Sequence, residues 1–333
     1  ELHQHNLQAL YFKPSYHRLE ERIKKAARKL DIYLIDEEGQ FSHEGQPVSR
    51  EDIHPDYFWI HSELLHSPVL KTYFTLMQEC QNVKWLHTIN TGLDKGPYLE
   101  LLRSGIRISN NHSQAIAIAE FVMGNVLSHF QNLPDYANKQ QQGIWKYRPF
   151  REIYHSRWLI IGFGHIGHQI ARRAKTFGVH LTAVRRSKKD EGLADQVLSL
   201  DSMADALKAA DVVVLACGSN ESTHNLVDKN FLAQMKDDSI LVNIARGDLV
   251  VEKDLREALD QGKPAHAILD VFNEEPLPEE SWVWQHPRVS MTSHCSNGGS
   301  GMRARSDDLF IENLNRMVVG QLLLNEVSEK DII

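Results

Sequence analysis

Gly162-Phe163-Gly164-His165-Ile166-Gly167 stands between an apolar run at 158–161 and a helix-like span at 169–177. Glycines at this spacing, in that setting, suit a pyrophosphate. The first makes a tight turn, the second lets the backbone approach the phosphates, and the third lets helix and strand pack closely. His165 and Ile166 would open the helix, whose free N–H groups and partial positive charge attract anions. Without the flanking strand and helix, the same pattern would read only as a Gly-rich turn. The end of the next apolar run, 181–184, discriminates between dinucleotides. A carboxylate there would hold a ribose 2′-hydroxyl. This chain instead has Arg185-Arg186-Ser187, with no acid before Asp190. Two guanidiniums beside a hydroxyl suit a phosphate dianion. NADP(H) is therefore expected over NAD(H), with a solvated basic loop as the plain alternative.

Three more segments follow apolar runs: Asn243-Ile244-Ala245-Arg246-Gly247, Asp270-Val271-Phe272-Asn273-Glu274-Glu275-Pro276, and Thr292-Ser293-His294-Cys295. In an open α/β sheet, ligands gather at the carboxyl ends of strands. An anion anchor and a proton donor are what a redox domain needs, and Arg, Glu and His at successive strand ends supply candidates. Any one of the 18 histidines alone would read as structural. The three residue types together read as a site.

The elements that must position these residues follow from apolar spacing. Strands are predicted at 7–12, 32–35, 57–60, 83–89 and 106–109, with a helix at 16–30 between the first two. A long apolar helix is predicted over 114–130. A second series then places strands at 159–161, 181–184, 212–216, 240–244, 267–269 and 289–292, and a helix over 303–319 closes the chain onto the first part. Strands alternating with helices mean parallel sheets. The expected fold is α/β with two doubly wound parallel-sheet domains. A Rossmann cofactor domain, 113–295, is inserted into a smaller flavodoxin-like substrate domain made of 1–112 and 296–333.

Composition bounds the function class. A formal net charge of −7 argues against a nucleic-acid partner, and 42% hydrophobic with 24% charged residues is ordinary for a globular protein. Cys80, Cys217 and Cys295 form no CxxC pair, so neither a disulfide framework nor a metal site is expected, and a reducing, cytoplasmic setting is. No apolar run approaches the roughly 18 residues of a membrane span, and the opening residues lack signal-peptide character.

With these motifs in place, the chain resembles the D-isomer-specific 2-hydroxyacid dehydrogenases, and within them the glyoxylate/hydroxypyruvate reductase branch. The likeness is carried by the glycine loop, Asn243–Gly247, Asp270 to Pro278, and Trp284-Gln285-His286-Pro287-Arg288-Val289 leading to His294. It implies an NADPH-preferring reductase that converts small 2-keto acids to D-2-hydroxy acids. His294 would be the general acid, Glu275 its partner, and Arg246 the anchor of the substrate carboxylate. Asp270 would hold the nicotinamide end, and Cys217, Gly218, Ile244 and Ala245 would line the cofactor. Thr91 and Gly92 would receive the substrate carboxylate, and His61-Ser62-Glu63 would line the side-chain pocket. Departures are Ser293 where the family commonly has Pro, Cys217-Gly218 in place of Leu-Pro, and no aromatic at 61–63. A dehydrogenase for a larger acid such as phenylpyruvate, and a non-enzymatic nucleotide-sensing scaffold of corepressor type, are the alternatives. The resemblance also implies a homodimer.

Overall fold

Runs of four or five aliphatic, β-branched and aromatic residues form the central strands, because such side chains pack well on a pleated surface. The central strands are buried along nearly their whole length, as parallel strands covered by helices on both faces must be. The computed structural model describes residues 7–93, 96–186 and 192–332. It divides into two units, Glu1–Ser113 with Arg303–Ile333, and Gln114–Met302. The second boundary thus falls after 302 instead of the expected 295. Residues past His294 remain with the second unit for a physical reason. Ser296 donates its N–H to the buried Asp270 carboxylate (3.1 Å), and Gly299 packs so closely on Ala117 that an added Cβ would stand 2.5 Å from the Ala117 Cβ.

The first unit holds seven strands: Gln8–Phe12 (β1), Asp31–Ile35 (β2), Phe41–His43 (β3), Gln46–Pro47 (β4), Tyr57–Ile60 (β5), Trp85–Thr88 (β6) and Arg107–Ser109 (β7). Their order is β4-β3-β2-β1-β5-β6-β7. From β2 to β7 the pairing is parallel, in flavodoxin-like order. β3 and β4 add an antiparallel hairpin that the apolar pattern did not reveal. Glu44 (φ 48°) and Gly45 (φ 77°) supply its two-residue left-handed turn. Alternate residues face opposite layers. Leu10, Phe58 and Leu86 enter one core, and Tyr11, Trp59 and Trp85 the other. The helix Met302–Val318 completes the second layer, where Phe310 stacks on Trp59 at 3.9 Å.

The second unit holds Arg157–Ile161 (β8), His180–Val184 (β9), Gln196–Leu198 (β10), Val212–Leu215 (β11), Ile240–Asn243 (β12), His266–Leu269 (β13) and Val289–Met291 (β14). All pair in parallel, in the order β10-β9-β8-β11-β12-β13-β14. The first six give the dinucleotide-binding order and β14 extends it. β10 had no signal in the sequence because it has only three residues and is defined by its pairing with β9. Ile160, Val214 and Val242 pack under the helices Ala115–Phe130 and His165–Thr176, whereas Leu159, Val213 and Leu241 face Leu207, Phe231 and Leu255. The apolar helix expected at 114–130 is therefore core of its own unit. No helix among the described residues is long and apolar enough to cross a membrane.

Candidate active site

At the end of β8 the chain turns at Gly162 (φ 97°), where any Cβ would lie 2.4 Å from the backbone N of Cys217. A Cβ on Gly167 would lie 2.4 Å from the Gly162 carbonyl oxygen. These two glycines answer to the protein's own packing. Gly164 does not: no protein atom stands within 4 Å of where its Cβ would be, and it caps the helix His165–Thr176. Bare backbone at a helix N-terminus, facing open space, is a cradle that fits a pyrophosphate. His165 is exposed and Ile166 packs partly on the core.

β9 ends beside this loop, with Gly162 N–H donating to the Val184 carbonyl (2.9 Å) and Arg185 N–H to that of Leu198 (3.0 Å). Arg185 is half-buried and Arg186 exposed. Ser187 lies outside the described residues. Burial pushes the Cys217 thiol up to about 11, so it is a packed neutral group. The Gly218 carbonyl accepts the Thr223 hydroxyl (2.8 Å). Ile244 and Ala245 are buried in the two cores.

At the end of β12, buried Asn243 shapes the Arg246 turn. Its Oδ1 accepts from Ala245 N–H (3.1 Å) and its Nδ2 donates to the Arg246 carbonyl (2.8 Å). Arg246 is half-buried and Nη1 donates to the Ala245 carbonyl (2.8 Å). Gly247 lies directly on the next loop, since a Cβ there would come 2.0 Å from the Phe272 carbonyl carbon. Only glycine lets the loops after β12 and β13 meet.

The loop after β13 carries Glu275. Its Oε1 accepts from Phe272 N–H (2.9 Å), and Trp284 Nε1 braces the Pro278 carbonyl (2.8 Å). Its Oε2 lies 2.7 Å from His294 Nδ1. The carboxylate that meets the histidine is Glu275 and not its neighbour Glu274. The His294 and Glu275 side chains are 48% and 35% exposed, so the pair is shielded yet open to a ligand. A ring that donates Nδ1–H to Glu275 leaves Nε2 as its second polar position. His294 itself adopts φ 50°. That left-handed backbone costs a residue with a Cβ on the order of 1 kcal/mol unless its surroundings impose it.

They do impose it. Asp270 is fully buried, and its carbonyl accepts His294 N–H (2.9 Å) while its carboxylate accepts the Thr292 hydroxyl (2.6 Å) and Cys295 N–H (2.9 Å). The sequence reading gave Asp270 to the cofactor and passed over Thr292 and Asn243. An Asx turn was legible for Asn243, because Asn often bonds the N–H two residues on. The Asp270 contacts join residues far apart in the chain and left no local signal.

In the first unit, the loop after β6 is tied by its side chains. Thr91 Oγ1 donates to the Asn111 carbonyl (2.7 Å), Asn110 Nδ2 to the Thr91 carbonyl (3.0 Å), and Asn90 Nδ2 to Tyr98 (2.7 Å). Gly92 is exposed. After β5, the expected pocket loop turns its polar groups inward. His61 is fully buried, with Nδ1 at 2.5 Å from Glu63 Oε2 and 2.9 Å from the Ser62 hydroxyl. Arg18 pairs with Asp307 and stands 3.5 Å from Glu63. Burial drives the Glu63 carboxyl up, but hydrogen bonds from His61 and Ser15 and the charges of His61 and Arg18 outweigh it and hold it well below the usual range.

A parallel sheet with a glycine cradle at one strand end and an Arg and a His–Glu pair at later ones defines a dinucleotide-binding protein of the oxidoreductase type. Residues 123–296 match the D-isomer specific 2-hydroxyacid dehydrogenase, NAD binding domain, and the chain belongs to that family. It is 34% identical over 179 residues to glyoxylate/hydroxypyruvate reductase A of an Enterobacter species, across 53% of this chain and 57% of that protein. A solved D-isomer specific 2-hydroxyacid dehydrogenase family protein from Aeromonas salmonicida superposes with a TM-score of 0.77 at 27% identity, over 97% of this chain and 99% of the other. An NADPH-dependent glyoxylate/hydroxypyruvate reductase from Sinorhizobium meliloti, solved with NADP and sulfate, gives 0.76 over 99% and 100%. At 21% identity that second likeness is one of fold. For some curated relatives the match spans only about half their length, 50% in one case.

Proposed function

We propose that the protein is a reductase of small 2-keto acids, of the glyoxylate and hydroxypyruvate kind, that prefers NADPH and yields the D-2-hydroxy acid. The observation that carries this reading is the 2.7 Å contact between His294 Nδ1 and Glu275 on the loop that Gly247 presses against the Arg246 turn. The Gly162–Gly167 cradle would hold the pyrophosphate, and Arg185 and Arg186 the 2′-phosphate. When bound, the reduced dinucleotide supplies the hydride.

The chain's own residues do the rest. Arg246 binds the substrate carboxylate and polarises the adjoining carbonyl. His294 Nε2 delivers the proton to the keto oxygen. Glu275 orients the ring through Nδ1 and stabilises the imidazolium before that transfer. Support for NADPH comes from the two arginines at the end of β9 and from the NADP bound by the Sinorhizobium relative.

A homodimer is part of the proposal. Ile144, Trp145, Tyr147 and Phe150 are exposed on one irregular segment of the second unit, with Trp145 wholly so, and a partner subunit would bury them. Light scattering at low micromolar concentration should return twice the chain mass.

The deciding experiment measures initial rates with glyoxylate, hydroxypyruvate, pyruvate and phenylpyruvate, each with NADPH and NADH, for the wild type and His294→Ala. Turnover of the small acids with NADPH, lost in the variant, is expected. Equal or faster rates with NADH would overturn the 2′-phosphate assignment, and activity confined to phenylpyruvate would overturn the small-acid one. No turnover with any pair would overturn the reductase reading.

A further inference from the structure

We infer that Asp270 and Thr292 are positioning residues for His294. The buried carboxylate after β13 holds the left-handed turn that brings the imidazole onto Glu275. The inference deepens the proposed function, since it rests on reading His294 as the proton donor.

The donors that converge on Asp270 bracket His294 in the chain. Ahead of it, the Thr292 hydroxyl donates to Oδ1 (2.6 Å). Behind it, Cys295 N–H donates to Oδ1 (2.9 Å) and Ser296 N–H to Oδ2 (3.1 Å). His294 N–H donates to the Asp270 carbonyl (2.9 Å). One residue thus accepts from four of the five positions 292–296, with Ser293 alone outside the set. Three of the four bonds end on the fully buried carboxylate and the fourth on the backbone carbonyl.

The same residue reaches the other arm of the site. Asp270 N–H donates to the Asn243 carbonyl (3.0 Å), and Asn243 Nδ2 holds the Arg246 carbonyl (2.8 Å). Arg246 and His294 are therefore referenced to one buried point. Were the bracket broken, His294 would relax from φ 50° toward the ordinary helical or extended regions. Its ring would leave Glu275, because the backbone sets the direction of Cβ. The other role open to Asp270, a contact with the nicotinamide end, makes a different demand. Its loss would weaken cofactor binding, and Thr292 would have no part in it.

The test compares Thr292→Val, Thr292→Ser and Asp270→Asn with the wild type. Three quantities are read: kcat against KM, the NADPH Kd by fluorescence titration, and the His294 imidazole resonances by NMR. His294→Gln identifies those resonances by their loss. Thr292→Val should lower kcat about tenfold, the equivalent of one bond to a charged acceptor, and move the His294 resonances away from their wild-type position. The NADPH Kd should stay within about twofold, and Thr292→Ser should restore kcat and resonances alike. Asp270→Asn, which keeps an oxygen for Thr292 and Cys295 but turns its amide nitrogen toward Ser296 N–H, should have the larger effect of the same kind. Unchanged His294 resonances in Thr292→Val would overturn the inference. A rise in NADPH Kd that accounts for the whole loss in Asp270→Asn would overturn it too. The NMR arm needs no turnover. If the wild type reduces no keto acid but Thr292→Val still displaces the His294 resonances, the positioning stands and the reductase reading fails.

Discussion

The two units end their parallel sheets in opposite ways. At the carboxyl edge of the second unit, His294 and Glu275 are half exposed, and bare backbone at Gly164 faces open space. At the carboxyl edge of the first, His61 and His87 are completely buried, and Glu63 and Asp307 are turned inward onto His61 and Arg18. Both edges carry Arg, His and carboxylates. One edge leaves them open to solvent, and the other uses them to tie β5, the helix Lys13–Ala26 and the helix Met302–Val318 together. A charged residue at a strand end becomes chemistry only when its partners leave it a titrating or binding position.

The sharpest break of this contrast is in activity. His294→Ala should reduce kcat by about 10²–10⁴, the range of a lost general acid, with the melting temperature unchanged within error. Asp307→Ala in the first unit should do the reverse. It takes one partner from Arg18 and from the buried His61 and leaves Glu63 to hold both, and losing a hydrogen bond to a charged group costs about 1.5–3 kcal/mol. Urea denaturation monitored by circular dichroism would check this. Equal effects of both variants on stability would erase the distinction between the two edges.

The glycine loop offers a finer comparison. Gly164→Ala should fold normally, because nothing occupies the space, and weaken NADPH binding about tenfold or more by intruding on the cradle. Gly162→Ala should lose stability, since its Cβ would collide with backbone. Titration calorimetry and thermal melts separate the two outcomes.

The smallest effect expected is in acid. Burial lowers His87 to about 3, helped by the neighbouring His61 and His112 charges. Burial likewise lowers His266 to about 4, helped by His129, His286 and Arg288. The unfolded chain takes up these protons near pH ~6.5 and the fold resists them. Their contribution to stability is therefore intact above about 6.5 and declines as pH falls toward 4 and below. Glu63, held low by its partners, adds a loss of the same sign below the ordinary carboxylate range, near ~4.3. The melting temperature should drop between pH 7 and 4.5, and His266→Gln should flatten that slope by about 2–4 °C. A flat wild-type curve over this range would show that the buried imidazoles are protonated as readily as free ones.

Much of this was legible before any coordinates. Continuous apolar runs mark most of the strands of both sheets, because a buried parallel strand must be apolar on both faces. The glycine spacing and the Arg, Glu and His at strand ends were equally plain. The strands missed were Phe41–His43, Gln46–Pro47 and Gln196–Leu198, all short and defined by pairing more than by composition. Residue type did not tell which way the side chains of the loop 61–63 turn.

By itself the sequence determined the α/β class, the place of the dinucleotide cradle and the residues able to bind and to transfer a proton. These depend on spacing along one chain and on the intrinsic chemistry of side chains. Only the tertiary structure decided that Asp270 and Thr292 grip the His294 loop, and that His61 and Glu63 face inward. Each of those facts is a contact between segments brought together by the fold, and no local pattern encodes which partner a side chain will find.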